Sequence, residues 1–197
     1  MVFDERFELR PSAQQANDRW GGYRAEFKLI ERDRHAALDA DLESIRRNAL
    51  ATGAEQRRSF RIDISKFEFC DGKEEADVEA YTIFVYSKAM IAAEKLRAIC
   101  QQMPEYSQRR WKTARARDFY DIHGIVQQGG VDLASEENLD LIRSVFAAKE
   151  VPLTLLRGVE GQRDFHRADW PSVQASVRGE LESFDYYFDF VARHHNL

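Results

Sequence analysis

Tyr81-Thr82-Ile83-Phe84-Val85-Tyr86-Ser87-Lys88-Ala89-Met90-Ile91-Ala92-Ala93-Glu94-Lys95-Leu96-Arg97-Ala98-Ile99 is where the chain changes character. Residues 81–86 are mostly β-branched and aromatic, apolar at both alternating positions, which predicts an interior strand. Ser87 then offers a hydroxyl to the free N–H groups of a first helical turn. From Lys88 the apolar residues recur at helical spacing, and a helix is predicted over 88–103. Upstream of this switch the chain reads mainly as strands and turns, downstream as helices. An α/β fold is expected, divided into residues 1–86 and 87–197.

Working back from the switch, Asp71-Gly72 is a turn signal. Phe60, Ile62 and Ile64 alternate with Arg61, Asp63 and Ser65, after which Phe67 and Phe69 become the apolar positions. A strand over 60–69 with a bulge near Ser65 or Lys66 accounts for the change of phase. Leu38, Leu42, Ile45 and Ala49 form one stripe of a helix predicted over 34–51, with Gly53 as its terminator. Tyr23, Ala25, Phe27 and Leu29 alternate with charged residues after Gly21-Gly22, the pattern of a strand with one buried face.

Working forward, helices are predicted over 115–127, ended by Gly129-Gly130, and over 136–149, started by Ser135 with Glu136 and Glu137 in its first turn. A last helix is predicted over 172–194, on the spacing of Val173, Val177, Leu181, Phe184, Phe188 and Val191.

The bulk properties fit an ordinary globular chain of 197 residues, 44% hydrophobic and 32% charged. A net charge of −5 excludes a globally basic nucleic-acid binder. Cys70 and Cys100 make neither a disulfide framework nor a metal-ligand spacing. Residues 3–10 are too charged for a leader peptide, and no apolar run approaches the roughly 20 residues of a membrane span. The expectation is a cytoplasmic protein without a membrane partner.

Four constellations carry candidate chemistry. Asp63, between Ile62 and Ile64, is a carboxylate on a strand, where nucleotidyl transfer places its metal ligands; it also reads as an edge-strand Asp facing water beside Arg61 or Lys66. Lys95 lies on the Ile91–Ile99 stripe and either reaches a cleft as a phosphate ligand or snorkels outward. Arg117 and Asp121 are one helical turn apart around Asp118, suited to a site or to a structural ion-pair cluster beside a Phe119, Ile122 and Val126 stripe. Arg109, Arg110, Lys112, Arg115 and Arg117, with Trp111 among them, are able to meet a nucleic-acid backbone and stack a base, or to form a solvated connection. The five histidines form no HExxH motif, His194-His195 reads as a frayed end, and no phosphate-binding glycine loop is present.

Read together, the stretch Tyr81–Ser87, then Ala93-Glu94-Lys95-Leu96-Arg97-Ala98-Ile99, then Arg115-Ala116-Arg117-Asp118-Phe119-Tyr120-Asp121-Ile122, the last two about twenty residues apart, strongly resemble the C-terminal motifs of the AbiEii/AbiGii toxin-type nucleotidyltransferases. Those carry an E-K-L-x-A helix, an Arg-rich gap and an R-D-x-x-D-[LI] helix. The resemblance extends upstream through Arg61-Ile62-Asp63-Ile64-Ser65 and downstream to Phe165-His166-Arg167-Ala168-Asp169-Trp170. It implies a polymerase-β-like core, here a partial mixed sheet, followed by a helical part. It also implies transfer of a nucleotide from an NTP, with magnesium, to an acceptor such as tRNA, in type IV toxin–antitoxin systems or phage defence. On that resemblance Asp63 matches the third metal-binding carboxylate and Lys95 the lysine that meets the triphosphate. Arg117, Asp118 and Asp121 match the last motif. The implied catalytic set is Asp63, Lys95, Asp118 and Asp121; the substrate contacts are Lys95, Arg117, Arg109, Arg110 and Lys112.

One departure matters. The family's Arg-x-Ser-x-Asp-x-Asp strand, source of its other two metal ligands, has no counterpart here. Gly21-Gly22 and Asp39-Ala40-Asp41 imitate its spacing, but Asp39 and Asp41 fall on opposite edges of an amphipathic helix and no β-branched run follows them. The expectation is that the first motif lies upstream of Met1. The chain is then an NTP transferase only if that motif is supplied elsewhere. The alternatives are a non-catalytic module that engages an antitoxin or RNA, and an unrelated α/β structural domain.

Overall fold

The computed structural model describes residues 22–38, 41–51, 56–109 and 111–193. Gly21, Asp39, Ala40, Gly53, Arg110 and the His194-His195 pair, all used above, lie outside the described residues. Two units divide the chain, Met1–Phe67 and Glu68–Leu197.

In the first unit, strand β1 (Gly22–Phe27) pairs antiparallel with β2 (Phe60–Ser65). The register sets Tyr23 opposite Ile64, Ala25 opposite Ile62 and Phe27 opposite Phe60, so the two alternations coincide on one apolar face. The Phe27 and Phe60 rings stack with centroids 5.7 Å apart. The other face pairs Arg24 with Asp63 and Glu26 with Arg61. The strand ends at Ser65 and does not continue through a bulge to Phe69. Phe67 takes a φ of +56°, a left-handed conformation that a strand cannot contain.

The helix predicted over 34–51 is two short helices, α1 (Arg32–Ala36) and α2 (Leu42–Arg47). The second starts afresh because Asp41 adopts an extended backbone and its carboxylate accepts the Glu43 N–H at 3.2 Å. Leu50 N–H donates to the Leu29 carbonyl at 2.8 Å, tying the end of this segment to the residues after β1.

In the second unit, β3 (Lys73–Val78) and β4 (Tyr81–Tyr86) form a hairpin through a two-residue turn, with Glu79 at φ +56°. The α/β class holds, but the described strands pair only antiparallel, as two separate ladders, not as one mixed sheet. A two-residue connection permits no other pairing for β3 and β4. Nor is β4 an interior strand among the described residues: β3 is its one ladder partner, and Tyr81 and Phe84 are 72% and 60% exposed.

Helix α3 (Lys88–Cys100) begins as expected, with Ser87 Oγ accepting the Met90 N–H at 3.2 Å. Met90, Ala92, Ala93, Leu96, Ile99 and Cys100 are buried, because α3 is flanked by both α4 (Ala116–Gly129) and α5 (Glu136–Ala148). Gly130 closes α4 at φ +68°, and Ser135 caps α5. A 3-10 segment (Leu153–Gln162) and α6 (Arg163–Arg167) lead to α7 (Trp170–Ser176) and α8 (Phe184–Arg193).

The last predicted helix is therefore broken in two. Val177 is extended and Gly179 sits at φ +109°, which ends α7. The Tyr187 hydroxyl accepts the Glu182 N–H at 3.3 Å just before α8. The break lets α8 lay Phe184 and Phe188 on Phe119 of α4, at ring distances of 5.6 and 5.0 Å. Phe119 is fully buried at the centre of this aromatic cluster. No helix among the described residues is long and apolar enough to cross a membrane.

Candidate functional site

The R-D-x-x-D segment opens α4, and helical spacing places Asp118 and Asp121 on the side that faces α3. Lys95, midway along α3, projects from the opposite side. Its ammonium donates to Asp118 Oδ1 at 3.0 Å and to Asp121 Oδ2 at 2.7 Å. Asp118 accepts through its other oxygen from Arg115 Nε, and Asp121 from Arg117 Nε at 2.9 Å. Three cations thus share two carboxylates, and Asp118 is buried. Burial works against the charged form of Lys95, but the hydrogen bonds and charges of Asp121 and Asp118 outweigh it and raise its pKa.

Lys95 and Asp121 also line an open cleft of about 700 Å³, with Lys88, His123, Arg178 and Tyr187 among its other walls. Lys88, Lys95 and Arg178 outnumber Asp121 and Glu180 there, so the lining leans positive. Burial lowers the pKa of His123, which stands edge-on to Tyr187 with ring centroids 5.1 Å apart. Two of the three N–H donors of Lys95 are engaged by carboxylates, which leaves one for a ligand. An ammonium held in place at a positive cleft is suited to a phosphate oxygen.

Lys95, Arg117, Asp118 and Asp121, 22 to 26 residues apart across the two motifs, are thereby brought together in the second unit. Arg117 stays at the surface, its side chain 48% exposed, and donates to Ser176 Oγ at 3.0 Å as well as to Asp121. Arg117→Ala is expected to cost less than about 1 kcal/mol, as exposed pairs do. Urea unfolding midpoints measure it, and a loss of several kcal/mol would refute the surface assignment.

The other expected residues are placed differently. Asp63 lies in the first unit, where its Oδ1 accepts from Arg24 Nε at 2.6 Å. That hydrogen bond and charge hold its carboxyl below the usual carboxylate range. The partner is the residue opposite in the ladder, which same-strand inspection cannot supply. In the basic run, Arg109 donates to the Trp111 carbonyl at 3.1 Å. Lys112 donates to the carbonyls of Gln101 and Tyr106 at 3.1 and 2.6 Å, so its charge caps the end of α3. Trp111 is 70% exposed. Arg110 lies outside the described residues.

A magnesium centre for nucleotidyl transfer needs several carboxylates converging on one point. Among the described residues no three His, Cys, Asp or Glu side chains gather to hold a metal ion. The Asp63 carboxylate is paired with Arg24, and Asp118 and Asp121 are paired with three cations. The described residues do not fit such a centre.

Two participants escaped sequence reasoning. Arg115, counted in the basic run, is the ion-pair partner of Asp118. His166 is fully buried and accepts the Arg115 main-chain N–H at 3.0 Å through Nδ1. A signal for it exists: Val159, His166, Trp170 and Val173 recur at spacings of seven, four and three, and all four are buried.

Comparison with known proteins bears on this geometry. The model of a family described as Nucleotidyl transferase AbiEii toxin, Type IV TA system, matches residues 5–191. No curated protein and no solved structure matches the chain.

Proposed function

The chain belongs to the AbiEii nucleotidyl transferase toxin family of type IV toxin–antitoxin systems, and from that premise we propose that its Lys95 cleft receives the triphosphate of an NTP, the donor in nucleotide transfer to an RNA acceptor. The observation that carries this reading is the Lys95 ammonium, seated on Asp118 and Asp121 at the edge of a positive cleft with one donor left over. Lys95 would meet phosphate oxygens, Asp118 and Asp121 would hold it in position, and Arg117 would keep Asp121 oriented. Arg109, Arg110 and Lys112 are the proposed contacts to an acceptor backbone. Asp63 is the carboxylate on which any transfer would depend.

Transfer needs carboxylates beyond Asp63, and the described residues do not assemble them. The expected behaviour of this chain is therefore NTP binding without appreciable transfer. Labelled ATP or GTP should bind on a filter, with affinity lowered at least about tenfold by Lys95→Ala, as loss of a charged contact implies. Incubation with each labelled NTP, magnesium and tRNA should leave the tRNA unlabelled. Robust labelling that Asp63→Asn abolishes would overturn the second expectation, and unaltered binding by Lys95→Ala would overturn the first.

A second reading, a non-catalytic module that engages RNA or an antitoxin, draws on the exposed Trp111 beside Arg109. It is favoured if bulk tRNA binds in a steeply salt-dependent way while NTP does not bind at all.

A further inference from the structure

We propose that His166 is a positioning residue of the Lys95 cluster: by accepting the Arg115 main-chain N–H it sets the first turn of α4, and with it the Arg115–Asp118 pair on which Lys95 is seated. The inference rests on the phosphate reading of the cleft for its ligand, but on geometry alone for its mechanics.

The chain of contacts is continuous. His166 Nδ1 accepts from Arg115 N at 3.0 Å, across 51 residues of sequence. Arg115 is the N-cap residue of α4, and no side-chain hydrogen bond caps that end. The Arg115 carbonyl accepts the Asp118 N–H at 3.0 Å, and its guanidinium binds the Asp118 carboxylate. Asp118 then holds Lys95 Nζ at 3.0 Å. Arg115 thus both opens the turn and grips the carboxylate, so a displaced Arg115 main chain displaces Asp118 as well.

The chemistry of the imidazole points the same way. His166 is fully buried among Phe119 and Phe165, with ring centroids 5.1 Å away in each case. A nitrogen that accepts an N–H carries no proton, so the neutral ring must bear its hydrogen on Nε2. That Nε2 is buried without a hydrogen-bond partner among the described residues. An orphaned buried donor is costly, and an apolar side chain would avoid it. What an apolar side chain lacks is the acceptor that Arg115 needs. The charged groups facing the ring are Asp118, Arg115 and Asp169, and burial outweighs the two carboxylates in keeping the ring neutral. A protonated ring would turn an Nδ1–H toward the Arg115 N–H and break the contact.

Nitrogen-15 NMR of the intact chain is the first test, and it needs no variant. A neutral ring with hydrogen on Nε2 is expected at neutral pH; a ring carrying hydrogen on Nδ1 overturns the proposal. The second test compares His166→Asn, whose Oδ1 stands near the lost Nδ1, with His166→Phe, which fills the space without an acceptor. Trace acetylation of lysines, read by mass spectrometry, gives the Lys95 to Lys88 labelling ratio within one molecule, so global unfolding largely cancels. His166→Phe should raise that ratio several-fold and His166→Asn should leave it near the wild-type value. No rise in the Phe variant, or an equal rise in both, would show that His166 only fills space. A fluorescent ATP analogue should bind about tenfold more weakly to the Phe variant, the order seen when a contact behind a site is removed, and near normally to the Asn variant. Absence of ATP binding by the wild-type chain would sink the phosphate reading, while the tautomer and the labelling ratio would still decide the role of His166.

Discussion

Asp118→Ala is expected to lower the stability of the second unit by about 3 kcal/mol, the lower end of the cost of breaking a buried ion pair from one side. Asp118 is 4% exposed, and both its oxygens accept from cations, Lys95 and Arg115. Its removal leaves Lys95 with Asp121 alone and Arg115 with no carboxylate partner in this cluster. The cost stays at the low end because Lys95 and Arg115 keep 22% and 33% side-chain exposure and are able to regain some hydration. Asp118→Asn keeps an acceptor of the same shape and should lose less. Urea unfolding of both variants at one pH measures the difference. If Asp118→Ala shifts the midpoint no more than Arg117→Ala does, the cluster contributes to the site without contributing to the fold.

The second large effect is a pH dependence. Burial pushes the His166 imidazole from its ordinary value near 6.5 down to about 4, with Asp118 opposing that shift, Arg115 adding to it and Asp169 opposing it. Between those two values the unfolded chain binds a proton that the folded chain does not, so the stability supplied by the neutral ring is complete above about pH 6.5. It is lost as pH falls from about 6.5 toward about 4, and it amounts to about 3 kcal/mol over that interval. Other groups titrate in the same range, so the measurement is a difference. The unfolding free energy of wild type minus that of His166→Phe, taken at several pH values from 7 to 4, should fall as the pH drops. Parallel curves would mean that His166 binds protons equally in the folded and unfolded chain, so that burial does not hold the ring neutral.

Local order was largely legible in the sequence, because it depends on neighbours a few residues apart. Ser87 and Ser135 begin α3 and α5 as their hydroxyls predict, and the Gly129-Gly130 pair ends α4, with Gly130 in the left-handed conformation that glycine adopts freely. The Arg117–Asp121 pair follows from i,i+4 geometry alone. The two ends of the predicted 172–194 helix are helical, but its middle is not. Periodicity records which residues prefer burial, and a broken helix with both stripes buried satisfies the same preference. Ile62 and Ile64 alternate as a half-buried strand should, yet both are about half exposed, because alternation fixes the face and not what covers it.

The family was legible too, since two motifs at one spacing carry it, and the match over residues 5–191 agrees. What only the tertiary structure decided is pairing across long separations. Lys95 meets Asp118 and Asp121 across 23 and 26 residues, Arg24 meets Asp63 across 39, and His166 meets Arg115 across 51. A sequence states the charge and hydrogen-bonding capacity of each of these groups. Which partner satisfies that capacity is set when helices and strands pack, because burying a charge or a polar atom is tolerated only beside a complementary one, and that neighbour is chosen by the fold as a whole.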